Sequence, residues 1–399
     1  MKEPFLSAIP LLTRIEAAGY EAYFVGGAVR DFLLGREISD VDIATSATPQ
    51  EIKEIYPKTI DVGVEHGTII VLFNGMPYEV TTFRSESEYE DFRRPSEVQF
   101  IRSLEEDLQR RDFTMNAIAM NKDGLLIDPF NGKQAIREQM IQTVGKAEER
   151  FQEDALRMMR AVRFYSQLGF EMEQSTREAL VVFAKLLENI SIERKLIEFE
   201  KLLTGRYRFK ALEILSNTGL YRYLPGMTSY SDELNHLLQF DFTDLTIEEM
   251  WVLLIHQFGI NDNEVKTFLK NWKLPVKKIN KIMQLVKWLD FRLKVDWTDE
   301  AIYHAGQQTS LAAERLYMFV HNRKINGNIT SLMKRYELLP IKHRSELQVT
   351  GNDLQVWFQK KPGPWIKDVI EKVENAVINR EISNRKELIR EWLIACNQS

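Results

Sequence analysis

The pattern of the sequence changes near residue 150, and this change constrains the fold more than any other feature of the chain. Before it, strand-like and helix-like segments alternate. After it, helical segments follow one another and are separated by Gly and Pro. With 399 residues the chain is also longer than the roughly 100–200 residues of one domain. The sequence therefore predicts an α/β-like first part and a longer, all-helical second part.

The composition is that of ordinary globular protein, with 44% apolar and 28% charged residues. A net charge of −5 argues against a diffuse basic surface that coats nucleic acid. The charge is unevenly distributed, however, because residues 1–150 sum to −9 and residues 151–399 to +4. Residues 264–294 carry a net charge of +7 and residues 321–367 a net charge of +6. These stretches could follow a phosphate backbone, although a solvated helix face explains any one lysine equally well.

The single cysteine, Cys396, rules out an internal disulfide and a thiolate metal cluster within one chain, which fits a reducing compartment. The N-terminal segment carries Glu3 and Glu16 and lacks a signal-peptide cleavage site. No stretch of about 18 uncharged apolar residues occurs. We therefore expect a cytoplasmic protein without a membrane-spanning segment.

Two aspartates, Asp40 and Asp42, lie in a segment, 38–44, that has the pattern of a strand. The period of two along a strand places both carboxylates on one face. Neighbouring carboxylates repel each other unless a cation lies between them, and Mg²⁺ is commonly bound by one or two carboxylates together with substrate phosphates. The pair alone is weak evidence, because exposed strand ends and helix caps have the same pattern.

Upstream of this pair, a predicted strand, Ala22–Val25, runs into Gly26-Gly27 and a short helix that carries Arg30. Glycines at such a turn let backbone N–H groups approach a phosphate, and the helix N-terminus favours negative charge. The alternative is a tight turn with a surface ion pair between Arg30 and Asp31. Because the glycines, the arginine and the two aspartates lie close together in the sequence, we predict phosphate-plus-metal chemistry.

Glu79 is a third acidic candidate, and both a catalytic and a nucleotide-contacting role are open for it. It lies in the second strand, 78–83, of a predicted hairpin whose first strand is Thr68–Phe73. The residues that follow, 85–97, are polar, charged and unpatterned, which predicts a mobile loop. Further on, Arg111 and Asp112 could place a guanidinium against a triphosphate and a carboxylate near a ribose hydroxyl. A helix-end ion pair is the alternative there.

Residues 151–165 predict one amphipathic helix whose apolar positions fall on one side. A ridge of charged side chains, Asp154, Arg157, Arg160 and Arg163, winds across the other side. A solvated face with a Glu153–Arg157 pair is the simpler interpretation. Three arginines with few acids, however, are typical of a surface that binds anions.

Base recognition gives this ridge a sharper interpretation. Cytosine and adenine both present an exocyclic amine beside a ring-nitrogen acceptor on the Watson–Crick edge, whereas uracil and guanine present an acceptor beside an N–H donor. Asp154 could accept from the amine while Arg157 donates to the ring nitrogen. This pair would admit CTP and ATP and reject UTP and GTP, at a cost on the order of 1–3 kcal/mol for each wrong base.

With these residues in place, the sequence resembles the class II tRNA nucleotidyltransferases, the bacterial CCA-adding enzymes. The matching segments are GGAVRD (26–31), SDVDIAT (39–45), RRDFTMNAIA (110–119), DPFNG (128–132), EDALRMMRAVRF (153–164) and SIERKLIEFEKLL (191–203). The resemblance implies an α+β fold: a nucleotidyltransferase head with a mixed β-sheet, followed by all-α neck, body and tail domains. On that basis we place the head at 1–148, the neck at 149–205, the body at 206–300 and the tail at 301–399.

The resemblance also implies an activity, which is the Mg²⁺-dependent addition of C, C and A from CTP and ATP to the tRNA 3′ end without a nucleic-acid template. It implies that Asp40 and Asp42 are catalytic metal ligands. The nucleotide-binding residues that it implies are Gly27, Arg30 and Arg111 for the nucleotide or its triphosphate, Asp112 for the ribose, and Asp154, Arg157, Arg160 and Arg163 for the base. It suggests a homodimer, and a loop at 85–97 favours the complete CCA activity over the addition of CC alone.

Two alternatives remain at this point. A bacterial poly(A) polymerase would share the head, but such enzymes tend to carry strongly basic extensions, against which a pI near 5.9 argues. A catalytically silent RNA-binding module is the second alternative, and the intact pair of Asp40 and Asp42 argues against it.

Overall fold

The computed structural model describes residues 1–86, 89–90, 94–95, 98–239, 245–321 and 326–396. The chain forms two compact units. The first contains Met1–Gln239 and Asn271–Lys273, and the second contains the other described residues. This division is coarser than the four predicted domains, whose boundaries therefore stay a prediction. No helix in the described ranges combines the length and the apolar composition that a membrane crossing requires.

Thirteen strands occur in the described residues, all in the first unit. They are β1 Ala22–Val25, β2 Asp42–Thr45, β3 Thr59–Gly63, β4 Thr68–Phe73, β5 Met76–Thr82, β6 Arg84–Glu86, β7 Tyr89–Glu90, β8 Arg94–Pro95, β9 Val98–Phe100, β10 Ala119–Met120, β11 Leu126–Ile127, β12 Met140–Ile141 and β13 Glu171–Met172. Seven of them form one sheet in the order β11-β10-β1-β2-β5-β4-β3. The sheet is mixed, because β2 and β5 are parallel whereas the other neighbours are antiparallel.

The helices of the first unit are α1 Phe5–Ala17, α2 Gly27–Leu33, α3 Pro49–Ile55, α4 Leu104–Gln109, α5 Gly132–Arg137, α6 Ala147–Glu153, α7 Leu156–Leu168, α8 Gln174–Phe183, α9 Ile192–Leu203, α10 Arg208–Thr218 and α11 Ser231–His236. The later helices are α12 Ile247–Gln257, α13 Asp262–Asn271, α14 Val276–Lys294, α15 Asp299–Ala305, α16 Gln307–Val320, α17 Asn326–Glu337, α18 Gly351–Phe358, α19 Trp365–Ile378 and α20 Lys386–Cys396. The predicted fold class, a mixed-sheet head followed by helices, is confirmed.

The large sheet has one apolar face and one polar face. Phe24, Ile43 and Val80 are neighbours across β1, β2 and β5, and all three are buried on the side that α1 and α3 cover. Asp42 and Glu79 are directly paired one position earlier in the same two strands, so they lie on the opposite face. The alternation of the strand residues thus separates the core from the acidic side chains.

The hairpin of β4 and β5 around Asn74-Gly75 is confirmed, and the edge strand β3 is an element that the sequence did not predict. The second strand was predicted over 38–44, but β2 begins only at Asp42. Asp42 pairs with Val25, where β1 ends, and Gly26 then turns away with a φ of 71°. Residues before Asp42 therefore have no partner in β1, and Asp40 lies in the connection rather than on the face of a strand.

The single helix predicted over 151–165 is also wrong. Asp154 has an extended backbone, with φ −136° and ψ 103°, and it separates α6 from α7. Its side chain accepts a hydrogen bond from the backbone N–H of Leu156 at 3.1 Å, as a helix-capping residue does. An aspartate side chain competes with the helix for nearby backbone N–H donors, here that of Leu156, which explains the break.

The loop predicted over 85–97 lies partly outside the described residues, at 87–88, 91–93 and 96–97. The described parts of this segment contain short strands instead of irregular loop: β6 pairs with β9 and β7 pairs with β8, both antiparallel. The mobility of this segment stays a prediction.

In the first unit, α7 and α9 pack closely at the C-terminal end of α7. The Ser166 hydroxyl donates to the carbonyl of Leu202 at 2.5 Å, and the backbone N–H of Tyr207 donates to the carbonyl of Ser166 at 2.8 Å. Gly205 lies so close that a Cβ there would be 2.1 Å from Ser166 Oγ and 2.5 Å from its carbonyl oxygen. Only glycine fits at this contact.

The second unit is helical and contains buried ion pairs as well as apolar packing. Glu314 Oε2 accepts hydrogen bonds from Arg292 Nε at 2.6 Å and from Trp297 Nε1 at 2.8 Å. Nearer the C-terminus, α18, α19 and α20 share a core that includes Leu354, Val373 and Ile389. Buried charges of this kind are satisfied by partners, as burial requires.

Candidate active site

A cavity of about 1000 Å³ opens in the first unit. All ten predicted site residues line it, namely Gly27, Arg30, Asp40, Asp42, Arg111, Asp112, Asp154, Arg157, Arg160 and Arg163. Glu79 lines it as well. Residues that are more than one hundred positions apart in the sequence are thus brought to one place.

Three adjacent strands assemble the acidic end of the cavity. Asp42 lies between Val25 of β1 and Glu79 of β5, and the turn at Gly26 follows directly after Val25. A Cβ at Gly26 would lie 3.4 Å from Arg111 Nη1 and 3.6 Å from Asp42 Oδ2. With no side chain at Gly26, only its backbone lies between a guanidinium and a carboxylate on the cavity wall. A phosphate can therefore approach the backbone closely at this turn.

The electrostatics of Asp42 suit a cation. Desolvation within the cavity raises its pKa to about 6, and the charges of Glu79 and, more weakly, Asp40 add to the rise against the opposing effect of Arg111. Among the described residues no three acidic, histidine or cysteine side chains are close enough to hold a metal by themselves. Two carboxylates that share a cation with substrate phosphates form the donor set that Mg²⁺ commonly takes, so the residues fit such an ion.

Arg30 and Arg111 are held in place by neighbours in the head. Arg30 Nη1 donates to Asn116 Oδ1 at 2.8 Å, and its Nη2 is 3.0 Å from Asp31 Oδ2. Arg111 Nη2 lies 3.2 Å from Asp107 Oδ2. Asp107 also pairs with Arg110, so the helix-end ion pair that we considered does occur at the end of α4. The ion pair with Asp107 orients Arg111, and Arg111 still lines the cavity.

Asp112 is the buried carboxylate that joins the head to α7. Its Oδ2 accepts from Arg160 Nε at 2.6 Å, and its Oδ1 accepts from the Asn116 amide at 3.2 Å. Burial alone would raise the pKa of Asp112, but the charge of Arg160 and the hydrogen bond from Asn116 outweigh it and lower the pKa to about 2. The carboxylate is therefore ionised at neutral pH.

Asp154 and Arg157 have separate partners. Arg194 Nη2 donates to Asp154 Oδ2 at 2.7 Å. Arg157 Nη1 is 2.5 Å from Glu153 Oε2, and its Nη2 donates to the carbonyl of Arg110 at 2.8 Å. The Glu153–Arg157 pair of the simpler interpretation is present, yet Arg157 is buried against the cavity rather than on a solvated face.

Arg163 is buried and paired as well. Its Nε is 2.5 Å from Glu198 Oε2, and the other Glu198 oxygen is 3.9 Å from Arg160 Nη1. The expectation of an arginine ridge with few acids is thus corrected, because the balancing carboxylates come from outside the segment, from α9 and from Asp112. Sequence reasoning missed Arg194 and Glu198. Their spacing of four places both on one face of a strongly periodic helix, but it does not indicate which residues they contact.

The chain matches three family models. Residues 22–142 match the poly A polymerase head domain, residues 169–231 a probable RNA and SrmB-binding site of polymerase A, and residues 242–393 a putative second domain of tRNA nucleotidyltransferase. Together with the cavity, these matches define the class of the protein, a nucleotidyltransferase with a poly A polymerase head.

Full-length relatives narrow the class further. The CCA-adding enzyme of Geobacillus sp. (strain WCH70) is 48% identical over 399 residues, with 100% of this chain and 98% of the relative covered. The CCA-adding enzyme of Bacillus cereus (strain Q1) is 47% identical over 396 residues, which is 99% of each chain. The chain therefore belongs to the CCA-adding enzyme family.

Solved structures of CCA-adding enzymes are similar to this chain. The crystal structure of the Bacillus stearothermophilus CCA-adding enzyme in complex with CTP superposes with a TM-score of 0.92 at 45% identity, over 100% of this chain and 98% of that one. The Thermotoga maritima CCA-adding enzyme complexed with tRNA gives a TM-score of 0.65 at 22% identity, over 99% and 96% of the two chains. The second similarity concerns the fold alone.

Proposed function

We propose that this protein adds C, C and A from CTP and ATP to the 3′ end of tRNA, without a nucleic-acid template and with release of pyrophosphate. One observation carries the proposal: the ten residues expected to hold metal, triphosphate, ribose and base all line one cavity. Relatives that are CCA-adding enzymes over their full length support it.

Asp40 and Asp42 are the residues that would hold Mg²⁺, with carboxylate oxygens as its ligands. The metal, when bound, supplies positive charge that stabilises the negative charge on the attacking 3′-oxygen of the tRNA and on the leaving pyrophosphate. Glu79 is directly beside Asp42, and its role, catalytic or nucleotide-contacting, stays open.

The triphosphate is expected against the turn at Gly26-Gly27, with Arg30 and Arg111 as fixed cations beside it. Both guanidiniums are already oriented by carboxylates of the head, so little side-chain entropy is lost when phosphate binds. In this arrangement the tRNA 3′-hydroxyl attacks the α-phosphorus in line with the leaving pyrophosphate. Asp112, held by Arg160 and Asn116, is the carboxylate that we assign to the ribose.

We assign base selection to Asp154 and Arg157. The carboxylate of Asp154 accepts hydrogen bonds and suits the exocyclic amine of C or A, while the guanidinium of Arg157 donates them and suits the ring nitrogen. Uracil and guanine would place acceptor against acceptor and donor against donor. Arg160 and Arg163 extend this part of the cavity wall.

The family and the distribution of charge along the chain support assignments outside the cavity. The basic stretches 264–294 and 321–367 are the surfaces that we assign to tRNA. The four domains, the homodimer and the cytoplasmic location predicted from the sequence are retained as part of this proposal.

A product-length assay on tRNA that lacks CCA separates this function from its alternatives. With CTP and ATP together, the protein should extend the RNA by three nucleotides and stop. A ladder of many A residues would instead identify a poly(A) polymerase.

Asp42→Ala should abolish the incorporation of labelled CTP and ATP, because a carboxylate of the metal site is lost. Undiminished incorporation by this variant would overturn the catalytic assignment. A wild-type protein that binds tRNA but incorporates nothing would be a silent RNA-binding module.

A further inference from the structure

The base-reading carboxylate is held by two donors from different elements. Asp154 Oδ1 accepts from the backbone N–H of Leu156 at 3.1 Å, and Oδ2 accepts from Arg194 Nη2 at 2.7 Å. Asp154 lies in the extended break between α6 and α7, so no helix backbone fixes its direction. Its orientation depends on these two contacts.

The helix that carries Arg194, α9, is held against α7 by side-chain contacts. It lies in the first turn of α9, and Glu198, one turn later, forms the 2.5 Å ion pair with Arg163 of α7. At the far end of α9, the carbonyl of Leu202 accepts from the Ser166 hydroxyl. Because α9 is fixed to α7 at these points, Arg194 has a defined position relative to Asp154.

The chemistry of the contact matches the selection of bases. A carboxylate has about four acceptor positions, so donors from Leu156 and Arg194 leave capacity for the amine of C or A. A charge-assisted hydrogen bond from a guanidinium is strong and directional, so it holds the carboxylate in a fixed plane. A carboxylate that rotates freely could turn its remaining acceptor positions away from the amine, and the preference for C and A over U and G would weaken.

We propose that Arg194 is a specificity-determining positioning residue: it fixes the carboxylate of Asp154 so that the site accepts C and A and rejects U and G. The inference rests on the proposed function and adds to it a residue outside the set predicted from the sequence. Arg194 acts through Asp154 and is not assigned a contact with the nucleotide.

The test measures kcat and KM for CTP, ATP, UTP and GTP on the same tRNA with purified full-length protein. Arg194→Gln should reduce the ratio of kcat/KM for CTP to that for UTP by about tenfold, mostly through a higher KM for CTP. Arg194→Lys keeps the charge but loses the planar fork, so its ratio should fall between those of the wild type and Arg194→Gln.

Two control variants separate the effect of the Arg194–Asp154 contact from the general effect of losing a charge on α9. Lys201 lies seven residues later on α9 and lines the same cavity, so Lys201→Gln removes an equal charge and should weaken all four nucleotides alike, with the ratio unchanged. Glu193→Gln alters an exposed pair with Lys273 beside Arg194 and should also leave the ratio unchanged. A purely electrostatic or structural role would move the four nucleotides together.

A double variant shows whether Arg194 works through Asp154. In an Asp154→Asn background, Arg194→Gln should change the ratio no further. Circular dichroism checks that each variant is folded, and if Arg194→Gln is not, the ratio of Arg194→Lys decides. An unchanged ratio in the folded Arg194 variant, or an equal loss in Lys201→Gln, would overturn the inference. A wild type that does not distinguish CTP from UTP would instead overturn the proposed function.

Discussion

At the scale of single residues, Asp112 makes stability depend on pH. Its pKa falls from an ordinary 3.8 to about 2 because Arg160 and Asn116 outweigh the effect of burial. A lowered pKa stabilises the folded state above the unfolded value, which corresponds to about 2 kcal/mol at neutral pH, and this contribution disappears as pH falls towards the folded value. Wild type should therefore exceed Asp112→Asn in stability at pH 7, and the difference should shrink between pH 3.8 and about 2.

Urea unfolding across this pH range measures the difference. Asp61→Asn is the matched control, because Asp61 is an exposed carboxylate that also pairs with one cation, Lys53. It should change stability little at any pH. A gap between wild type and Asp112→Asn that stays constant down to pH 2 would contradict the assignment of the lowered pKa.

Arg157 tests base selection directly. Arg157→Lys keeps the positive charge but loses the planar arrangement of donors, so the rejection of UTP should weaken on the order of tenfold. Arg150→Lys is a suitable control, since Arg150 also pairs with Glu153, at 2.8 Å, and does not line the cavity. Steady-state kinetics with CTP and UTP decide the matter, and equal selectivity in Arg157→Lys and wild type would refute the base-reading role.

At this scale the sequence was most informative about which charged residues line one cavity. Asp40, Asp42, Asp154 and the arginines were identified from residue type and local spacing, and they share one cavity. Their partners were not identified, because Glu198 and Arg194 lie 35 and 40 residues from Arg163 and Asp154 and no local pattern encodes such a contact.

At the scale of elements, the contact between α7 and α9 depends on Gly205. An alanine there would place its Cβ 2.5 Å from the carbonyl oxygen of Ser166, which cannot rotate away. Overpacking of this kind costs about 1–3 kcal/mol, so Gly205→Ala should lower the midpoint of urea unfolding.

Gly327→Ala is the control for this substitution. Gly327 lies in α17 with no atom within 4 Å of a Cβ, so its replacement should not destabilise the protein. Equal unfolding midpoints for wild type and Gly205→Ala would show that the two helices can separate at this contact without cost.

Elements were predictable where a local signal was strong. The β4–β5 hairpin follows from its Asn-Gly turn and alternating residues, and α3 follows from the capping box of Thr48 and Glu51. The start of β2 and the break at Asp154 were not predictable. The first depends on where β1 ends, and the second on the hydrogen bond from the Leu156 backbone N–H to the Asp154 side chain.

At the scale of the whole molecule, the net charge of −5 is an average over unlike regions. If the basic stretch 264–294 contacts tRNA, Lys277→Gln with Lys281→Gln should weaken tRNA binding. The dependence of log K on log salt should also become shallower by about 1 for each lysine that contacts phosphate.

Lys133→Gln with Lys210→Gln removes the same charge from exposed positions of the first unit and is the control. Filter binding or fluorescence titration at several salt concentrations gives both slopes. An identical slope for the wild type and the Lys277 and Lys281 variant would remove this stretch from the tRNA surface.

The central claim is that one cavity selects C and A and adds them in a fixed order. Sequencing the 3′ ends of CCA-lacking tRNA after incubation with CTP alone, with ATP alone and with both tests it most directly. We predict ends in CC with CTP alone, no addition with ATP alone, and ends in CCA with both. Runs of A with ATP alone, or U and G incorporated as readily as C and A, would contradict the account.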